Sequence, residues 1–92
     1  MDIAAFQATI EATYGTRDRA RGTAAAFLWF VEEVGELAEA LRRGDDAERL
    51  AEFSDVLAWL VTLASLHGID MADAAARFAD GCPKCGGRPC GC

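Results

Sequence analysis

Glu32-Glu33-Val34-Gly35-Glu36 is answered, sixteen positions after its last residue, by Glu52-Phe53-Ser54-Asp55. Apolar residues around both runs recur at intervals of three and four, the period of helices that bury one side. Residues at those spacings are neighbours on a helix surface, so each run gathers its acids toward one side, where like charges repel. Two helices loaded in this way have a use for a cation between them.

The competing account is an ordinary solvated acidic face, and two features weigh against it. Ion-pair partners are missing: Glu33 has Trp29 and Leu37 four residues either side, Glu36 has Glu32 and Ala40, and Asp55 has Ala51 and Trp59. Glu39, by contrast, has Arg42 and Arg43 within reach, as a surface glutamate would. The acids also keep apolar company. Trp29 projects among Glu32, Glu33 and Glu36, while Glu52 shares a stripe with Val56, Trp59 and Leu63. Carboxylates on a stripe bound for burial need a metal or a charged partner, because an unpaired buried charge is very costly. An all-carboxylate set is hard and anionic, which suits Mg²⁺ or Mn²⁺ rather than zinc or copper. His67, the one histidine, does not follow these acids at the Glu-x-x-His spacing of helical di-iron centres, and reads as a surface residue near a helix end. Mg²⁺ is usually held jointly by carboxylates and substrate phosphates, which points to a phosphate-bearing substrate.

Composition narrows the class. Ninety-two residues make one small domain, and two tryptophans and five phenylalanines are more apolar surface than four short helices hide alone. Oligomerisation or a staple is therefore expected. A net charge of −6 argues against nucleic acid as a non-specific partner. No run is apolar over the 18 or so residues needed to span a membrane, and no basic-then-apolar leader opens the chain. The reading is a soluble, cytoplasmic protein without a membrane partner.

Taken in order, the chain predicts four helices. Asp2 caps the first, which carries Ile3, Phe6, Ile10 and Tyr14 on one face and stops at Gly15. A loop from Gly15 to Gly22 then sets Arg17, Arg19 and Arg21 against Asp18; beside a carboxylate–metal site such arginines can meet phosphate oxygens. The second helix runs from Thr23 to about Arg43, with Phe27, Phe30, Val31, Val34, Leu37, Ala38 and Leu41 as its core seam, away from the glutamates. Gly35, near the acidic side, suggests close approach of a helix or ligand. The third runs from Asp45 or Asp46 to about His67 with an apolar arc broad enough for more than one neighbour. The fourth, capped by Asp70, turns Met71, Ala74, Ala75 and Phe78 inward and ends at Gly81. Trp29 and Trp59 are candidates to stack on a base, although aromatics at helical spacing also serve as core.

The tail Cys82-Pro-Lys-Cys85-Gly-Gly-Arg-Pro-Cys90-Gly-Cys92 is a separate unit, so the division is residues 1–81 and residues 82–92. Cys-x-x-Cys-Gly is a zinc-knuckle turn, while the Cys-x-Cys pair follows after fewer residues than usual. A Cys₄ zinc site, a free or redox-active tail and disulfides all remain open, with a structural or oligomeric role for the tail.

Glu32-Glu33-x-x-Glu36 followed by Glu52-x-x-Asp55 resembles the EExxE…ExxD signature of MazG-like nucleotide pyrophosphohydrolases. So do the flanking runs from Phe27 to Leu41 and from Asp55 to Leu60. The resemblance covers roughly residues 1 to 80. It implies an all-α, four-helix fold assembling as a dimer or tetramer. It also implies Mg²⁺-dependent hydrolysis of nucleoside triphosphates to the monophosphate and pyrophosphate, with clearance of non-canonical nucleotides as one use. Carried over by position, Glu33, Glu36, Glu52 and Asp55 would hold the metal, and Glu32 would assist through a second metal or by orienting water. Where many members carry an asparagine and a lysine, this chain has Ala75 and Arg77; Arg77 could still reach phosphate, which adds it to Arg17 and Arg21. Two alternatives stand beside this reading: a phosphoribosyl-ATP pyrophosphatase with the same chemistry, and a non-catalytic helical interaction module using the tail as an adaptor.

Overall fold

A computed structural model describes residues 1–92. Its regular structure is four α-helices and no strand: α1 (Ile3–Arg21), α2 (Thr23–Arg43), α3 (Asp46–Leu66) and α4 (Met71–Ala76). Caps set several of these limits. Asp2 accepts a hydrogen bond from the N–H of Ala5, and Asp45 from that of Glu48, each at 2.8 Å. Each bond satisfies a donor that the first helical turn leaves unpaired. Gly22 alone separates α1 from α2, at a φ of 83° that a side chain would strain. Two residues separate α2 from α3. Connections this short make antiparallel neighbours. The α2–α3 hairpin is the main pairing; α1 lies chiefly on α3, and α4 touches α1.

Three expectations need correction. Gly15 does not stop α1, which continues to Arg21. A glycine inside a helix costs only about 1 kcal/mol relative to alanine. Here the following turn is tied down: buried Asp18 accepts from the Thr62 hydroxyl at 3.0 Å and from Arg21 at 3.2 Å, and Arg19 pairs with Glu11 across Gly15. The arginines are therefore helical rather than looped.

The α2 seam is the second correction. The packed face of α2 is Ala26, Phe30, Glu33, Leu37 and Ala40, all buried or half-buried, while Phe27, Val31, Val34 and Leu41 are exposed. The glutamate lies on the inner face and most of the apolar seam on the outer one. The space beside Gly35 is open.

Third, α4 ends at Ala76 and not at Gly81, and Ala74, Ala75 and Phe78 are exposed. Its fixed point is the start. The buried Gln7 side chain accepts from Met71 N–H at 2.8 Å and donates to Ile69 O at 2.9 Å and Ser65 Oγ at 3.0 Å. Beyond that anchor, six residues are too few to bury a side of their own.

Little of the protomer is interior. Seven of 92 residues are buried, of which the apolar ones are Ala26, Ala40 and Val61. The radius of gyration is 15.2 Å, against about 12 Å for a compact globule of this length. No helix is long and apolar enough to cross a membrane.

Candidate metal centre and its flanking pocket

The hairpin register brings α2 and α3 together at their acids. Glu33 lies mid-stripe on α2, and Glu52 begins the inner stripe of α3 that continues through Val56, Trp59 and Leu63. Carboxylate oxygens of Glu33, Glu52 and Asp55 all lie within 4.8 Å of one another. Oxygens around an octahedral Mg²⁺ stand roughly 3–4 Å apart, so the observed spacing is close to that of a ligand set. Glu52 Oε2 is buried with no hydrogen-bond partner, an arrangement that costs on the order of 1–3 kcal/mol unless something compensates it. A carboxylate with an orphaned buried oxygen, close to two further carboxylates, is what a divalent cation would satisfy.

Glu33 feels the same problem. Its carboxyl is held above the usual glutamate range, first by burial and then by the charges of Asp55, Glu52, Glu36 and Glu32. Every charged group acting on it is negative. The four ion pairs of the chain join Arg19 to Glu11, Arg21 to Asp18, Arg43 to Glu39 and Arg49 to Asp46, so none engages the five acids. Glu39 pairs as a surface residue, as its spacing predicts. Glu32 and Glu36 are exposed and stand outside the close triangle, while their charges reach Glu33.

Beside Asp55 a pocket of about 230 Å³ opens between α1 and α3, lined by both Arg17 and Arg21. Its floor includes Asp18, Trp59 and Thr62. Trp59 stacks on Trp29 at a centroid distance of 6.1 Å and an interplanar angle of 8°, and the Arg21 guanidinium stands 5.0 Å over the Trp59 ring. Arg21 is thus oriented twice, by the ring and by Asp18. Sequence reasoning missed Asp18 and Thr62 as members of this site. The signal was the i,i+3 spacing of Asp18 and Arg21, which has meaning only if the helix passes Gly15. Arg77 does not line this pocket; it caps α4, 5.7 Å over Phe78. A larger depression of about 490 Å³ lies between the start of α1 and the α3–α4 turn. It holds none of the expected site residues, and its buried polar group, Gln7, is spent on the backbone contacts given above.

The cysteines also converge, with all four Sγ atoms within 4.8 Å. The Cys85 thiol is lowered to about 6, first by the backbone N–H groups of Gly91 and Gly87 and then by Cys82 and Cys92. Cys82 is lowered chiefly by the N–H groups of Cys85 and Lys84, whereas Cys92 is raised by its contacts with the other three sulfurs.

Fold and site together define an all-α protein with a carboxylate centre on a helical hairpin and an arginine-lined pocket next to it. The family model of the MazG nucleotide pyrophosphohydrolase domain matches residues 21–85, from the end of α1 to the second cysteine of the tail. The chain belongs to that family. Among curated proteins, none matches it.

Proposed function

We propose that the chain is a Mg²⁺-dependent nucleoside triphosphate pyrophosphohydrolase that converts a (d)NTP and water to the (d)NMP and pyrophosphate. The observation that carries this reading is the unpaired triangle of Glu33, Glu52 and Asp55, with the orphaned Glu52 oxygen, beside two arginines. Glu33, Glu36, Glu52 and Asp55 would hold Mg²⁺ (or Mn²⁺). The bound ion supplies charge neutralisation on the phosphate oxygens. Glu32 takes the proton of the attacking water as its oxygen bonds to the α-phosphorus. The bond from that phosphorus to the bridging oxygen breaks, and pyrophosphate leaves. Arg17 and Arg21 meet the phosphate oxygens, Asp18 holds Arg21 in position, and Trp29 with Trp59 offers aromatic surface to the base. Arg77 has no part in this arrangement.

The same reading includes a homodimer or tetramer. Phe27, Val31, Val34 and Leu41 on α2, and Leu50, Phe53, Leu57 and Leu60 on α3, are 37–74% exposed. On both helices the spacings of three and four are those of a helix-packing seam. Two adjacent seams on one hairpin make an apolar face that a second copy would cover.

The test is a panel of canonical and modified triphosphates with Mg²⁺, scoring products. Equimolar monophosphate and pyrophosphate are expected, with non-canonical bases among the substrates. Release of orthophosphate alone would contradict the reading, and no Mg²⁺-dependent hydrolysis of any member would contradict it in favour of a non-catalytic module.

A further inference from the structure

Residues 82–92 contain no apolar side chain apart from two prolines and the cysteines, and no regular secondary structure. An eleven-residue segment of this kind has no core with which to hold a shape. It is nevertheless folded back on itself. Gly81 turns the chain at a φ of 110°, where a Cβ would come within 2.8 Å of the Gly87 carbonyl oxygen. Cys82 N–H then donates to Gly87 O at 3.1 Å, and Gly86 N–H to Cys82 O at 2.7 Å, closing a turn around Cys85. Arg88 reaches back to donate to the carbonyl of Ala79, just beyond α4.

What the turn organises is sulfur. Sγ of Cys82 is 3.8 Å from that of Cys92, and Sγ of Cys85 is 3.9 Å from that of Cys90. A disulfide would require about 2.05 Å. Four sulfurs bonded at about 2.3 Å to a tetrahedral centre stand about 3.8 Å apart, and the two observed separations match that edge. Backbone N–H groups are aimed at the sulfurs as well: Gly87 and Gly91 donate to Cys85, and Cys92 donates to Cys90, each at 3.4 Å. Such donors stabilise thiolates.

We propose that Cys82, Cys85, Cys90 and Cys92 bind one zinc ion in a closed tetrahedral site that folds residues 82–92 against the end of α4. Four protein ligands leave no open position, so the ion is structural and takes no substrate. Soft thiolates and hard carboxylates select different metals, which lets one short chain keep two ions apart. The fold of the tail is then the free energy of zinc binding, with little contribution from packing.

The test uses the full-length protein, purified reduced without chelator. Elemental analysis should give one zinc per chain. A mercurial that blocks thiols should release that zinc as four thiols react, and cobalt substitution should give the intense visible bands of a tetrahedral thiolate site. Cys85→Ser and Cys90→Ser should each lose most of the zinc while the helical circular dichroism stays unchanged, which separates loss of a ligand from loss of the fold. Reduced protein that takes up no zinc, or zinc that persists in the serine variants, would overturn the proposal. So would two disulfides in freshly isolated protein. The readout is metal content, so its failure is distinguishable from failure of the hydrolase reading.

Discussion

Glu33 sits on the packed side of α2 with no cation near it, and that single placement has a measurable sign. Its carboxyl is raised by burial and by four neighbouring acids, so the folded, metal-free protein binds this proton more tightly than the unfolded chain does. The stability linked to that proton is fully present below the ordinary glutamate value of 4.5 and is lost as pH rises through the raised folded value. In chelator, Glu33→Gln should therefore melt above wild type at pH 7, and the gap should close as pH falls toward 4.5 and below. Saturating Mg²⁺ should narrow the gap at pH 7 by stabilising wild type more. Melting curves across that range check this; a gap that does not change with pH would refute it. Glu33, Glu36 and Asp55 were legible because spacing shows them without ion-pair partners, whereas Glu52 has Arg49 three residues before it and only the structure shows that arginine turned to Asp46. The Asp18–Thr62 contact was not legible, because it joins α1 to α3 across 44 positions and no local period records it.

α1 illustrates how one residue type can mislead at the level of the element. Gly15 reads as a stop from the sequence, yet the helix runs through it because Asp18, Arg21 and Thr62 fasten the next turn. The contrast gives opposite signs for Gly15→Ala. A Cβ there would meet the Glu11 carboxylate and the Arg19 guanidinium at 2.5–3.0 Å, but both are ends of exposed, flexible side chains. Displacing them costs an exposed ion pair worth at most about 1 kcal/mol, against a helix-propensity gain of about 1 kcal/mol. Gly15→Ala should lie between neutral and about 1 kcal/mol stabilising, read as a melting temperature unchanged or higher by a few degrees. A loss of about 1 kcal/mol or more would mean the position behaves as a helix terminus. α2 and α3 were legible almost to the residue, since their caps and period agree. Which stripe of α2 faces inward was not. Both its stripes repeat at three and four, and avoiding buried charge favours turning Glu33 outward. The fold does the reverse, and that departure marks the site.

At the scale of the whole molecule, two exposed seams on one hairpin leave the protomer with much of its apolar surface outside. Light scattering at micromolar concentration should give a multiple of the 9.8 kDa protomer mass. Phe53→Glu, placed on the exposed α3 seam, should shift the population to monomer and lower the melting temperature. A wild-type protein of 9.8 kDa, or a Phe53→Glu protein of unchanged mass, would show that the face is left open or lies outside the interface. The breadth of the α3 arc announced this surface from the sequence, whereas the α2 contribution emerged only once Glu33 was seen to occupy the inner face.

Glu33, Glu36, Glu52 and Asp55 are proposed as a working metal centre and not as structural acids. This centre is tested most directly by Mg²⁺-dependent pyrophosphate release from a triphosphate, paired with melting curves in chelator, for wild type, Glu52→Gln and Asp55→Asn. Each variant keeps the shape of the side chain and removes one charge. Loss of a partner one shell out from a metal typically costs 10–100-fold, so losing a direct ligand should cost at least that in turnover. Relief of carboxylate repulsion should leave the metal-free variants melting no lower than wild type. Near-normal pyrophosphate release by both variants, or lost stability with turnover intact, would contradict the account.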